Sequence, residues 1–196
     1  MCDFHSTAWR LLGQDIQMIY SADNSHSQMI SAAGWRENQP NRVPVVFEAE
    51  LDLSNCKEAD LQNPAKWIRN FGECPERLVT AIVRHYRRVW LALNGGSELM
   101  QYFSDVEKWM DIWSRIKSLP RNVTFPKEIS GSLNMSALTT LPENVTFPEK
   151  CGYLYLRALT TLPENVTFPE KCGSLDLSAD LKRQMSSNQK SKTSCK

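Results

Sequence analysis

Residues 1–63 space their apolar positions by about two, residues 64–118 by about 3.6, and the remainder obeys a third rule, a repeat. In the first stretch Thr7–Leu12 and Asp15–Tyr20 read as strands, with Gly13 and Gln14 as a hairpin turn. After the polar loop SADNSHS, Gln28–Ala33 reads as a short helix stopped by Gly34, and Glu37–Pro44 as a loop. Val45–Leu53 alternates, placing Phe47, Ala49, Leu51 and Leu53 on one face and Val46, Glu48, Glu50 and Asp52 on the other, as a half-buried strand requires.

The second stretch is helical. Pro64–Phe71 suits a short helix, and Pro75 with Glu76 marks the start of a longer one. Along it Leu78, Ile82, Tyr86, Val89 and Leu93 step down one face until Asn94-Gly95-Gly96 ends it. A last helix, interrupted or continuous, covers roughly Glu98–Ile116, with Trp109, Ile112, Trp113 and Ile116 as its apolar stripe.

From Ile116 the pattern repeats. The run ALTTLPENVTFPEKCG occupies Ala137–Gly152 and returns at Ala158–Gly173, a step of 21, and a diverged copy, IKSLPRNVTFPKEISG, precedes both. Each unit parses as a strand (GYLYL), a corner (RA), a second short strand (LTTLP) and a returning loop (ENVTFPEK). Leu154 and Leu156 then point inward, with Tyr153, Tyr155 and Arg157 outward, and stacking like on like makes a ladder of Phe125, Phe147 and Phe168. The expected fold is α+β: a small N-terminal sheet with helices, then a short β-solenoid of about three coils. Its domains would be 1–115, 116–181 and a polar tail, 182–196. Trp109 and Trp113 are the expected cap of the first coil.

Composition excludes more than it assigns. With 23 Lys and Arg against 22 Asp and Glu, no global field argues for nucleic acid or an anionic membrane. No window approaches a membrane span and the first residues lack the pattern of a secretion signal, so a cytoplasmic protein is expected. Six dispersed cysteines form no C-x-x-C metal site and are expected as reduced thiols. No cofactor or metal motif is present.

The units around GYLYLRALTTLPENVTFPEK resemble the short leucine-rich-like repeats of bacteriophage and prophage proteins, in which G-x-L-x-L followed by L-T-x-L-P recurs. They are also similar to the leucine-rich repeats of bacterial effectors. Only Arg157 and Ala158 separate Leu156 from Leu159, which leaves no place for the asparagine of a leucine-rich horseshoe, so a β-solenoid is the expected form. The front segment, CDFHSTAWR with NSHS, GWREN and FEAE, resembles an uncharacterised domain of actinobacterial and phage sequences and carries no catalytic assignment. Phage kinship implies an accessory role in the host cytoplasm, binding a host factor or opposing host defence.

Two constellations carry candidate chemistry. His5, Ser6, Ser25, His26, Ser27, Arg36, Glu37 and Asn38 are the candidate ligand residues, and His5, His26 and Glu48 the catalytic ones if the domain is an enzyme. Arg36 with the serine-rich loop suits a phosphate. His5-Ser6-Thr7 matches the H-x-[ST] element of two-histidine phosphoesterases, but His26-Ser27-Gln28 does not supply its partner. Ordinary hydrogen-bonded loop and edge residues explain the same pattern. Zinc on Cys2, His5, His26 and a strand glutamate has permissible ligands without diagnostic spacing. The second constellation is Tyr153, Tyr155 and Arg157, residue types that anchor protein interfaces. Arg84, Arg87 and Arg88 with His85 and Trp90 offer a basic face, which more simply reads as a solvated one. The leading expectation is a non-enzymatic protein that binds a protein partner or itself through its repeats; the alternative is a nucleotide-like ligand or a phosphoester substrate at the N-terminal cluster.

Overall fold

Gly13 holds a left-handed backbone angle, φ 60°, and so reverses the chain between β1 (His5–Leu12) and β2 (Asp15–Tyr20). The two strands pair antiparallel from Leu12↔Asp15 to Thr7↔Tyr20. The computed structural model describes residues 5–20, 26–35, 45–53 and 55–188. It is a mixed α+β chain whose contacts divide it into two units, Met1–Trp90 and Leu91–Lys196.

In the first unit, α1 (His26–Ala32) ends at Gly34, and β3 (Val46–Leu51) joins the sheet beside β1 in the order β2-β1-β3. Alternation sends Ala8, Ile19 and Val46 to one face, where they pack with Met29, Ile30 and Trp35. His5, Thr7, Trp9, Phe47 and Ala49 go to the other face, which meets the last helix of this unit. After α2 (Glu58–Leu61), that helix is α3 (Glu76–Leu93), whose stripe Leu78, Ile82, Tyr86, Val89 and Leu93 is buried. Its C-terminus closes at Gly95, again left-handed, where the Gly96 N–H reaches the Leu91 carbonyl at 2.8 Å.

The second unit runs from a 3-10 stretch, Ser97–Asp105, through α4 (Met110–Arg115) into the repeats. β4 (Leu133–Asn134), β5 (Lys150–Leu156) and β6 (Lys171–Leu177) form a parallel sheet in register with the repeat, Leu133↔Leu154↔Leu175. Rings follow one another in the same register: Phe103 meets Phe125 edge to face at 5.1 Å, Phe125 lies tilted to Phe147 at 5.3 Å, and Phe147 stacks on Phe168 at 5.7 Å. A Cβ on Gly152 would lie 3.1 Å from the Gly131 carbonyl oxygen, and one on Gly173 would lie 2.7 Å from that of Gly152. The glycine column therefore sets how closely successive units approach. α5 (Ala179–Asn188) follows, with the Ser178 hydroxyl accepting the Leu181 N–H and donating to the Leu159 carbonyl.

Four local expectations are corrected. Val46 and Glu48 are buried rather than on an open polar face, because α1 packs over Val46 and Arg69 lies on Glu48. Pro64–Phe71 holds a 3-10 turn, Pro64–Lys66, and only the first residue of a second, Phe71–Glu73; between them Ile68 bridges Ala49 antiparallel while Glu50 N–H donates to the Trp67 carbonyl and Arg69 N–H to that of Glu48. Bonds to the edge of β3 thus replace a helix. LTTLP forms no second strand in either copy; pairing instead reaches back to Lys150 and Lys171. Residues 182–188, expected as part of a polar tail, belong to a helix because Ser178 caps it and Leu181 anchors it.

Candidate functional site

The His5-Ser6-Thr7 element lies on β1, so its side chains alternate. His5 and Thr7 face α3 and Ser6 faces the other way. On the α3 side the bonds form a chain: Trp9 Nε1–H donates to Thr7 Oγ1 at 2.7 Å, and Thr7 Oγ1 lies 3.2 Å from the Tyr86 hydroxyl. That hydroxyl in turn lies 2.5 Å from the Ala49 carbonyl and 2.8 Å from that of His5. One proton serves two carbonyls, tying β1, β3 and α3 at a single oxygen. His5 Nε2 meets His85 Nε2 at 2.9 Å, so one ring donates and the other accepts. Tyr20 stacks on His5 at 5.0 Å and Trp9 meets the edge of His85 at 5.5 Å. Burial, then repulsion from His5 and Arg88, holds the His85 imidazole well below its ordinary value.

His5 and Thr7 are 0% exposed, while His85 and Tyr20 beside them are half-buried. Glu48 pairs across from Ala8 and lies on the opposite face of the sheet from His5. Arg69 Nη1 holds both of its oxygens, at 3.0 and 3.1 Å, beside a cleft of about 210 Å³ lined by Glu48, Glu50, Lys66, Trp67, Ile68 and Arg69. Ser6 Oγ is buried without a hydrogen-bond partner among the described residues. His26 and Ser27 open α1, and their side chains lie outside the described residues, as do Cys2, Ser25, Arg36, Glu37 and Asn38. The structure thus separates His5 from Glu48 and brings His5 to His85 and Tyr86 instead. In the sequence His85 reads as part of a basic face and Tyr86 as core, and nothing there pairs them with His5, although His85 follows Ile82 by three and precedes Tyr86 by one, which puts it beside the buried stripe.

Other candidates acquire ordinary partners. Arg87 reaches Glu58 at 3.5 Å, and Trp90 Nε1–H donates to the Cys56 carbonyl. Burial lifts the thiols of Cys56 and Cys74 to about 11, aided at Cys56 by Asp60 and Asp52, so neither is a ready nucleophile. Cys151 and Cys172 are register partners on neighbouring strands. Among the described residues no group of three or more His, Cys, Asp or Glu could hold a metal ion, and no helix is long and apolar enough to cross a membrane.

Tyr153, Tyr155 and Arg157 share the outward side of β5. Tyr153 is 46% exposed, its ring lies 6.1 Å from that of Tyr155 at 14°, and the Arg157 guanidinium sits 5.4 Å from the Tyr155 centroid. Arg157 Nε donates to Asp176 Oδ2 at 2.7 Å, and Lys182 Nζ to Asp176 Oδ1 at 3.2 Å. Those bonds hold the Asp176 carboxyl below the usual range. Alongside runs a groove of about 310 Å³ lined by Met110, Ser132, Asn134, Ser136, Tyr155 and Arg157. Asn134 Oδ1 accepts from the Ser136 N–H and hydroxyl.

The chain matches no protein-family model, no curated protein and no solved structure. What the face can do therefore rests on its own chemistry. It offers two flat rings, a cation bonded to Asp176 and small hydrogen-bonding side chains.

Proposed function

We propose that the chain is a non-enzymatic interaction protein in which three 21-residue units stack as a short β-solenoid of the phage-type, leucine-rich-like kind. Its outward residues Tyr153, Tyr155 and Arg157 meet a protein partner or another copy. One observation carries this reading. The inward positions of the three units are alike, Leu133, Leu154 and Leu175, whereas the outward ones differ: Ser132, Asn134 and Ser136, then Tyr153, Tyr155 and Arg157, then Ser174, Asp176 and Ser178. Stacking of the inward set does not call for the two tyrosines, and their aromatic face, with Arg157 held beside it by Asp176, suits a contact outside the fold. The role is accessory and cytoplasmic: binding a host factor, including one of host defence.

A nucleotide-like ligand or phosphoester at the N-terminal cluster draws less support, since His5 is fully buried and Glu48 lies on the other face of the sheet. To test the interface, wild type and the Tyr153→Ala/Tyr155→Ala double variant are compared as bait in host extract, and their masses in solution are measured. The double variant is expected to lose proteins retained by wild type, or to lose self-association. Identical retained proteins and identical mass would refute the contact face.

A further inference from the structure

Cys151 and Cys172 face each other in the parallel pairing of β5 with β6. Register partners in a parallel pair project their side chains from the same face of the sheet, on strands about 4.8 Å apart. That spacing lies inside the Cα range of about 4.4–6.8 Å that a disulfide spans. A glycine follows each cysteine, and a Cβ on Gly173 would lie 2.7 Å from the Gly152 carbonyl oxygen, so the two backbones approach closely right beside the two sulfurs. The first unit does not extend the pair, because Ser130 stands 21 residues before Cys151.

These cysteines sit at the least covered joint of the array. Val145, Phe147, Cys151 and Leu154 are buried, whereas their counterparts one step later, Val166, Phe168, Cys172 and Leu175, are each half-buried. At the opposite end Phe103 packs on Phe125 and on Trp113. Local opening is therefore cheapest at the last unit. The same difference in burial orders the two sulfurs: half-buried Cys172 meets a reagent from solvent, and Cys151, 5% exposed, lies behind it.

We propose that Cys151 and Cys172 form a reversible disulfide, made by exchange with a small-molecule disulfide such as oxidised glutathione, that staples the last unit of the array to the middle one. The Cys172 thiolate attacks one sulfur of glutathione disulfide and releases the first glutathione thiolate. The Cys151 thiolate then attacks Cys172 Sγ in the mixed disulfide and releases the second. Two protein thiols are oxidised to one disulfide, one glutathione disulfide is reduced to two glutathione molecules, and the two cysteine protons pass to the leaving thiolates. Cys56 and Cys74, whose thiols burial lifts to about 11, compete poorly for the same oxidant. In a reducing compartment the pair rests as thiols and closes when the disulfide fraction rises. The staple stands whether or not Tyr153 and Tyr155 bind a partner.

The test equilibrates the full chain in glutathione buffers from reduced to oxidised, blocks remaining thiols by alkylation and digests monomer-mass chain with trypsin without reduction. Cleavage after Lys150, Arg157, Lys171 and Lys182 places the two cysteines in CGYLYLR and CGSLDLSADLK. In oxidised buffer these are expected as one linked species, two hydrogens lighter than the two peptides together, and as two alkylated peptides in reduced buffer. Amide exchange over Lys171–Leu177 is expected to slow at least about tenfold in the linked chain, since a cross-link closing a loop of this length outweighs that factor. Cys172→Ser is expected to lose both the linked species and the slowing. Cys151 still alkylated in oxidised buffer, a glutathione adduct on Cys172 as the end product, linkage of either residue to another cysteine, or exchange as fast in the linked chain as in the reduced one would each overturn the proposal.

Discussion

Beneath α3 the sheet of β1–β3 presents His5, Thr7 and the bonds of the Tyr86 hydroxyl, whereas the interior of β4–β6 presents Leu133, Leu154, Leu175 and a run of phenylalanine rings. In the first region stability is concentrated: one oxygen joins three elements, and losing it breaks those bonds together. In the second it is distributed, because each apolar side chain rests on copies of itself above and below. Two ways of filling a small interior thus respond differently to damage, one through hydrogen bonds that fail together and one through packing lost a layer at a time.

Leu154 and Tyr86 break this comparison most sharply, both being 0% exposed. Leu154→Ala is expected to cost about 3 kcal/mol, transfer and cavity together. Tyr86→Phe removes only an oxygen yet is expected to cost about 2 kcal/mol, since that buried oxygen bonds Thr7 and two carbonyls at once. Chemical denaturation read by tryptophan fluorescence measures both; a Tyr86→Phe cost below about 0.5 kcal/mol would remove the contrast.

A smaller, graded effect separates the units by pH. All three histidines, His5, His26 and His85, lie in the first unit. His85 binds its proton less well folded than unfolded, so its contribution is complete above its ordinary value near 6.5 and is lost as pH falls below it. One such group gives a slope of at most about 1.4 kcal/mol per pH unit. Thermal unfolding followed from about pH 7.5 down to about 5 should show the first unit weakening, and His85→Gln, which keeps a polar partner for His5, should flatten that dependence. An unchanged slope in the variant would assign the effect elsewhere.

The legible parts of the fold are those where one local rule decides. Gly13 fixes the hairpin, and a repeat that puts leucine on leucine fixes the register of β5 and β6. Alternation alone identifies Tyr153, Tyr155 and Arg157 as outward. Where partners come from far along the chain the sequence is mute. His5 and Thr7 read as accessible chemistry because polar residues near a terminus usually are, and only the arrival of Tyr86 and His85, some 80 residues on, makes them interior. Ile68 becomes strand-like only because β3 offers it an edge, and α5 forms because Ser178 caps a segment that carries little apolar pattern. Glu48 fails as a partner for His5 for a simpler reason: adjacent strands aligned at Ala8↔Glu48 place the two on opposite faces.

The middle repeat divides its own residues, with Leu154 and Leu156 turned inward and Tyr153, Tyr155 and Arg157 outward, where the proposed contact lies. The first unit of the array shows which residues the same outward positions tolerate: Ser132, Asn134 and Ser136. The most direct test is therefore the triple variant Tyr153→Ser, Tyr155→Asn, Arg157→Ser, assayed for unfolding free energy and for retention of the partner that wild type binds. The expected result is stability within about 1 kcal/mol of wild type, the range of surface substitutions, with partner retention lost. Retention at the wild-type level in a stably folded variant would contradict the account.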